Sequence, residues 1–326
     1  MSVTHLVRTQ LEAFKSTANT AVTIGVLDGV HLGHQALLKC LYDEARQKNL
    51  DPGVITLHPN PITVLKPEIH ARYLTSLEER ITLLKENGAN WVAPLTFTSE
   101  LAEITAEELA EELHQTLRMR LLVLGPDAAF GRGAPDDTVQ RMQLLGEKIG
   151  FETTTIKPFL VGDERCSSTK IRSSLEQGLL EEAKTLLGRH YRLAGPVVHG
   201  YERGRILGFP TANISVAADR FLPAFGVYAT RVFIEDEDHI YHGATNIGER
   251  PTFDEGHISI ETHILDFDGD LYDKRIEIEL ITQIRGEKTF EDLKMLKTQI
   301  KKDLSLIHIS EPTRPRLISY AVFCLK

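Results

Sequence analysis

Cysteine is scarce. The chain has three in 326 residues, Cys40, Cys166 and Cys324, with no CxxC pair and no metal-ligand spacing. That argues against a disulfide framework or a zinc site and predicts reduced thiols in a cytoplasmic protein. Long apolar runs are missing too. The N-terminus carries Arg8 and polar residues instead of an apolar signal core, and nothing approaches a membrane span, so no membrane partner is expected. Basic charge is also short, with 37 Lys and Arg against 46 Asp and Glu and a formal net charge of -9. A basic field is what nucleic acid demands, so no nucleic-acid partner is expected; a nucleotide needs only a local cluster.

What is present is ordinary soluble globular protein, 42% hydrophobic and 25% charged, long enough for about two domains. The first half turns on the stretch Thr23 to His34. An apolar run from Ala21 to Leu27 reads as a buried strand, Asp28-Gly29 as a turn, and Leu37, Leu38, Leu41 and Ala45 as the face of a helix. A strand, a glycine turn and a helix N-terminus form a phosphate cradle, because free N–H groups and the helix dipole point at the same place. His31 and His34, three residues apart, share a face that looks at the same anion. Taken alone, the pattern also fits a plain strand-to-helix connection with solvated histidines.

Strands and helices then alternate. Strands are predicted over Pro52–Leu57, Trp91–Thr96, Arg120–Leu124 and Glu152–Lys157. Ser76 with Glu79 and Thr105 with Glu108 have capping-box spacing, and each opens a helix. A third helix is predicted from about Asp136 to Ile149. Alternation of this kind indicates a parallel sheet covered on both faces, with ligands at the carboxyl ends of its strands. Asp28 to His34, His58 to Pro61 and Asp127 to Arg132 therefore fall on one rim. Ser167-Ser168-Thr169-Lys170-Ile171-Arg172 opens a helix predicted to run to about Leu187. Its hydroxyls and cations make either a second anion site or an ordinary N-cap with a solvated basic face.

After Gly188 the texture changes to short β-rich runs, Arg192–Val198, Val227–Ile234, His239–Ile247, Ile258–Asp266 and Ile276–Ile281. Closely spaced strands without helices between them suggest a small antiparallel barrel. A helix follows, capped by Thr289 with Asp292. Within the barrel half, Gly204 to Asn213 reads Gly-Arg-Ile-Leu-Gly-Phe-Pro-Thr-Ala-Asn. Glycines there let backbone N–H groups approach phosphates. If Pro210–Asn213 is extended, Thr211 and Asn213 point the same way and offer two hard oxygen ligands to Mg²⁺. Alone, this is also a turn-rich barrel corner.

Thr23 to His34, Gly125 to Arg132 and Ser167 to Arg172, in that order, resemble the adenylyltransferase module of bacterial bifunctional riboflavin kinase/FAD synthetases. Gly204 to Asn213 resembles the riboflavin kinase signature GRxLGFPTAN. Gly226 to Ala229, Asn246 to Phe253 and Glu261 to Asp266 fall in the same family's order. The resemblance implies a Rossmann-like α/β nucleotidyltransferase domain over residues 1–187. It implies an antiparallel β-barrel with a terminal helix, the riboflavin kinase, over 188–303. It further implies phosphorylation of riboflavin to FMN and adenylylation of FMN to FAD, with ATP and Mg²⁺. Alternatives are a riboflavin kinase whose α/β half only binds nucleotide, and a non-catalytic flavin-binding protein. The oligomeric state stays open, a homo-oligomer included.

By the same resemblance, Glu261 is the base that accepts the proton of the ribityl hydroxyl, as a carboxylate ionised at neutral pH can. Thr211 and Asn213 hold Mg²⁺ and the ATP phosphates, with Gly204, Gly208, Phe209 and Pro210 around them. In the other half His31 and His34 steady the phosphates as charge moves onto pyrophosphate. Ser167, Thr169 and Arg172 clamp the triphosphate, and Gly25, Asp28, Gly33 and Asp127 complete the phosphate site, Asp28 and Asp127 being equally fit for structural turns.

Three positions depart from the family pattern, all in the α/β half: Leu27 for Phe, Asn60 for a His between prolines, and Ala128-Ala129-Phe130-Gly131 for a bulkier run. Finally, Leu304 to Lys326 lacks helical period, holds two prolines, and resembles an in-frame translation of a sequencing adapter. It is expected to be a non-native tail.

Overall fold

Apolar residues at successive positions, facing opposite ways, set the first half. In the computed structural model, Thr20–Gly25 forms β1, with Ala21 in one buried cluster and Val22 in the other. Side chains alternate across a strand, so both faces of β1 are covered. The structure describes residues 3–132, 138–200, 208–249, 258–288 and 293–309. β2 (Asp51–His58), β3 (Trp91–Thr96), β4 (Met119–Leu124) and β5 (Glu152–Thr155) join β1 in a parallel sheet of order β3-β2-β1-β4-β5.

One face carries α1 (Val3–Leu11), α5 (Ala106–Leu117) and α6 (Thr138–Ile149) through Val7, Leu11, Leu113, Leu117 and Met142. The other carries α2 (Leu32–Lys48) and α4 (Leu77–Glu86) through Leu38, Leu41 and Leu84, and α3 (Pro61–Leu65) follows β2. Both capping boxes form as the spacing predicts, Ser76 with Glu79 and Thr105 with Glu108. Replacing Ser76 with Ala is expected to cost about 0.5–2 kcal/mol, read as a lower urea midpoint.

One expectation is corrected here. The helix predicted from Ser167 to Leu187 is two helices, α7 (Ser168–Glu176) and α8 (Leu180–Leu187). Gly178, at φ 72, turns the chain between them, a left-handed conformation that glycine adopts at little cost. A two-stranded hairpin, β6 (Leu160–Val161) with β7 (Glu164–Arg165), leads into α7.

The second half closes into a barrel of β8 (Tyr191–Val198), β9 (Ala212–Ile214), β10 (Gly226–Ile234), β11 (Ile240–Glu249), β12 (Ile258–Ile264) and β13 (Arg275–Gly286). Its order is β10-β11-β12-β9-β8-β13. Leu193, Val197, Ile276, Ile278 and Leu280 are buried in it. Buried with them, Thr230, Thr245 and Thr262 bond in series at 3.1 and 2.9 Å, which satisfies hydroxyls that would otherwise be costly inside.

The last helix, α9 (Leu293–Ile309), runs through Leu304–Ile309 without a break, against the expected loss of helical structure there. The first proline of that tail is Pro312, so no residue before Ile309 removes a helix donor. The expected cap Thr289 with Asp292, and residues 310–326, lie outside the described residues.

The chain divides into two compact units. The first is Met1–Arg189 with Ala217–Pro223; the second is His190–Val216 with the chain from Ala224 on. Ala217–Pro223 joins the first unit by backbone bonds from Tyr73 N–H to Asp219 and from Phe221 N–H to Tyr73, at 2.7 and 2.8 Å.

Candidate active sites

In the first unit the turn after β1 opens on a cleft of about 470 Å³, within the range of small-molecule sites. Gly25, Asp28, His31, Gly33, His34, Asp127, Ser167, Thr169 and Arg172 all line it, so one rim gathers every residue expected at that phosphate site. Chain segments far apart meet there because the strands are parallel and their carboxyl ends share an edge.

His31 is the N-cap of α2, not part of it. Its Nδ1 accepts the His34 N–H at 3.4 Å, and the two imidazole rings stack with centroids 3.7 Å apart. Burial pushes the His31 pKa down to about 4, against the opposing pull of Asp28. Burial, then the neighbouring His31 and Arg80, also lowers that of His34. At neutral pH His31 is therefore uncharged, and an Nδ1 that accepts leaves the proton on Nε2. The ring presents a neutral N–H donor. His34 Nδ1 is buried with no hydrogen-bond partner among the described residues. A Cβ on Gly33 would stand 3.0 Å from the His31 ring, so the glycine makes room for the imidazole.

The His31 shift carries a stability prediction. The unfolded imidazole takes up a proton below about pH 6.5, whereas the folded one resists until about pH 4. As pH falls through this window the unfolded state binds more protons, so stability is lost. His31→Asn is expected to lose less between pH 7 and pH 5 than the parent chain, measured by urea unfolding at each pH.

Asp28 lines the cleft and is also a structural hub. It is 3% exposed and accepts the backbone N–H groups of Leu74 and Thr75 at 3.0 and 3.1 Å. Arg172 Nη2 donates to it at 2.5 Å, and the fully buried Arg80 lies 3.7 Å away. The turn itself is strained, with Leu27 at φ 52 and Val30 at φ 38, values that non-glycine residues, and the β-branched Val30 above all, rarely adopt. Several contacts hold it. Arg189 Nη2 donates to the Gly29 carbonyl at 2.7 Å, Gln35 to that of Val30 at 3.0 Å, and Ser168 to that of Asp28 at 2.9 Å.

Arg172 also donates to the Arg72 carbonyl at 3.0 Å, and Ser167 caps α7 by accepting the Lys170 N–H at 3.3 Å. Asp127 is exposed and paired with Arg165. The departures in this half are taken up by burial or by a cap. Leu27 is 6% exposed in the core, Asn60 caps α3 by accepting the Ile62 N–H at 3.2 Å, and Phe130 is 2% exposed.

Sequence reasoning missed Arg80, Arg189, Arg165 and Cys166. Arg80 looks like one more charge on the polar side of α4, yet it is fully buried, as Leu84 is, and lies over the Tyr73 ring at 5.4 Å. Cys166 Sγ sits 3.5 Å from His31 Nδ1. No local signal marks either one.

In the second unit, Glu261 on β12 stands in register with Asn213 on β9 and with Asn246 on β11. Partners in register show their side chains on one face. Thr262 and Thr245, the next positions, are buried inside the barrel, so Glu261, Asn213 and Asn246 form a row on the outer face. Ala212 and Ile214 are buried, and Thr211 is the residue just ahead of β9. Gly208 has φ 82, which calls for glycine. Phe209 and Pro210 lead into Thr211, while Gly204 and Arg250-Pro251-Thr252-Phe253 lie outside the described residues. A hydroxyl, two amides and a carboxylate are oxygen donors of the kind hard cations take. Among the described residues no group of three or more His, Cys, Asp and Glu is placed to hold a metal ion.

Comparison with known proteins matches each unit separately. The family described as FAD synthetase matches residues 13–170, and that described as Riboflavin kinase matches residues 187–309. The bifunctional riboflavin kinase/FMN adenylyltransferase of Escherichia coli K12 is 38% identical over 283 residues, covering 86% of this chain and 90% of that protein. The protein of the same name from Bacillus subtilis 168 is 33% identical over 290 residues, covering 88% and 90%. A crystal structure from Streptococcus pneumoniae, described as a macrolide-efflux protein, superposes with a TM-score of 0.82 at 29% identity, covering 91% of this chain and 96% of that one. Among the described residues no helix of this chain is long and apolar enough to cross a membrane. On identity and coverage together, the chain belongs to the family of bifunctional riboflavin kinase/FMN adenylyltransferases.

Proposed function

We infer that the two activities of this family are divided between the two units: the barrel phosphorylates riboflavin with ATP, giving FMN and ADP, and the α/β unit joins FMN to ATP, giving FAD and pyrophosphate. The supporting observation is that each unit, matched to its own family, carries its own gathered site, the cleft around His31 and the row around Glu261.

In the barrel, Glu261 takes the proton of the terminal ribityl hydroxyl as its oxygen attacks the γ-phosphorus and ADP leaves. Thr211 and Asn213 would hold Mg²⁺, and that ion supplies neutralising charge on the ATP phosphates. Their hydroxyl and amide oxygens, beside the Glu261 carboxylate, fit it. In the α/β unit the FMN phosphate is itself the nucleophile toward the α-phosphorus of ATP, so no protein nucleophile is needed. His31 donates its Nε2–H to the phosphates as negative charge gathers on the leaving pyrophosphate. Arg172, with Ser167 and Thr169, clamps the triphosphate; Asp28 positions Arg172. Asp127, paired with Arg165, sits at the cleft's edge.

The free thiols Cys40 and Cys166 and the acidic net charge support a cytoplasmic protein whose partners are small molecules. The test is to incubate the full chain with riboflavin, ATP and Mg²⁺ and separate FMN and FAD by chromatography. His31→Ala is expected to lower FAD formation by about 10²- to 10³-fold, the loss typical of one transition-state donor, while FMN accumulates. FMN without FAD in the parent chain would favour a kinase with a nucleotide-binding α/β unit; no FMN would overturn the assignment.

A further inference from the structure

The outer face of the barrel holds one more side chain that neither the proton transfer nor the oxygen-ligand set employs. His263 follows Glu261 by two residues on β12 and so shares its side of the strand. Its Nδ1 lies 2.7 Å from the Pro210 carbonyl oxygen. A carbonyl oxygen only accepts, so Nδ1 carries a proton. The Phe209 ring meets the same imidazole edge-on, with centroids 5.7 Å apart and planes at 89°. One ring thus clasps Phe209 and Pro210, the two residues ahead of Thr211.

The clasp matters because the ladder does little at this point. β9 covers only Ala212–Ile214, and its register with β12 is limited to Ala212 and Asn213. Asn213 is therefore fixed by strand pairing, whereas Thr211 lies beyond it. A residue outside the ladder depends for its place on the other contacts of its segment.

We propose that His263 is a positioning residue for riboflavin phosphorylation: its Nδ1–H holds the Pro210 carbonyl and thereby orders Thr211, the next residue, at the edge of the Glu261 site. This rests on placing the kinase site on that face. With the clasp gone, the segment must be ordered each time ATP binds. That cost falls equally on the bound complex and on the transition state, so KM for ATP rises and kcat holds. A histidine touching the transferred phosphoryl group would instead lower kcat.

The experiment uses the full chain with His263→Ala, His263→Asn, His263→Gln and, as a control, Glu261→Gln. FMN formation is followed against ATP concentration, and FAD formation from supplied FMN is followed separately. His263→Ala is expected to raise KM for ATP about three- to tenfold, the size of one net hydrogen bond, with kcat within about twofold. Asn carries an N–H near the place of Nδ1 and should restore KM. Gln carries its amide near the place of Nε2 and should behave like Ala. FAD formation from FMN stays at the parent level in all three. An unchanged KM in His263→Ala, a fall in kcat in its stead, or rescue by Gln as good as by Asn overturns the proposal. If His263→Ala folds poorly, the contrast between Asn and Gln decides alone. Should Glu261→Gln keep its FMN formation, the site placement has failed; should it be inactive while His263→Ala keeps a normal KM, only the positioning role has.

Discussion

Replacing Glu261 with Gln is expected to lower FMN formation by about 10²- to 10⁴-fold, the usual contribution of a general base, and to leave FAD formation from supplied FMN unchanged. Gln matches Glu in shape, so the barrel register around it is kept. Its amide cannot take a proton from the ribityl hydroxyl. Glu261 faces outward between Asn213 and Asn246, while Thr262 inside belongs to the bonded threonine series. The substitution therefore touches the reacting face and spares the interior. Chromatography of products from riboflavin and, separately, from FMN measures both activities on one preparation. Equal loss of both would mean that the effect is on folding and not on proton transfer.

Asp28→Ala is expected to be the most destabilising single change in the first unit, by about 3–5 kcal/mol, the range for breaking a buried ion pair from one side. Arg80 is fully buried; its Nη1 donates to the Val26 and Leu57 carbonyls at 3.0 and 3.4 Å, but its Nε and Nη2 have no hydrogen-bond partner among the described residues, and the Asp28 carboxylate 3.7 Å away is the opposite charge that balances it. Removing that carboxylate strands a buried guanidinium, releases Arg172 and leaves the Leu74 and Thr75 N–H groups unsatisfied. FAD formation should vanish while the barrel still makes FMN. Denaturant unfolding followed by circular dichroism would show an early transition for the first unit, analysed as two steps because two units need not unfold together. Adding Arg80→Met should recover part of the loss, since the stranded charge is then gone. If the double variant is as unstable as Asp28→Ala, the Arg80 charge is not the cause.

The α/β alternation, both capping boxes, the barrel texture and the order of the motifs are local features, and each was readable from residues close together in the chain. Helix and strand declare themselves through periods of 3.6 and 2, and a cap through residues three apart. The break at Gly178 was readable in principle, since a glycine before Leu179 is a stop signal, but the apolar spacing carries on across it. The continuation of α9 through Leu304–Ile309 was hidden in another way: the segment looks foreign in origin, yet it contains no helix breaker before Pro312.

For Thr23 to His34, the sequence alone determined a strand-to-helix turn with two histidines three residues apart beside it. The candidacy of Glu261 came with the family resemblance of the motifs around it. Tertiary structure alone decided that Asp28 is buried between Arg80 and Arg172, that Arg189 holds the strained turn, and that His263 clasps Pro210. The physical reason is the same in each case. A charge or an imidazole carries no mark in its own neighbourhood of whether it will meet water or a partner. That depends on which distant residue packing brings within about 3 Å, and the free energy of a polar group changes sign with the answer.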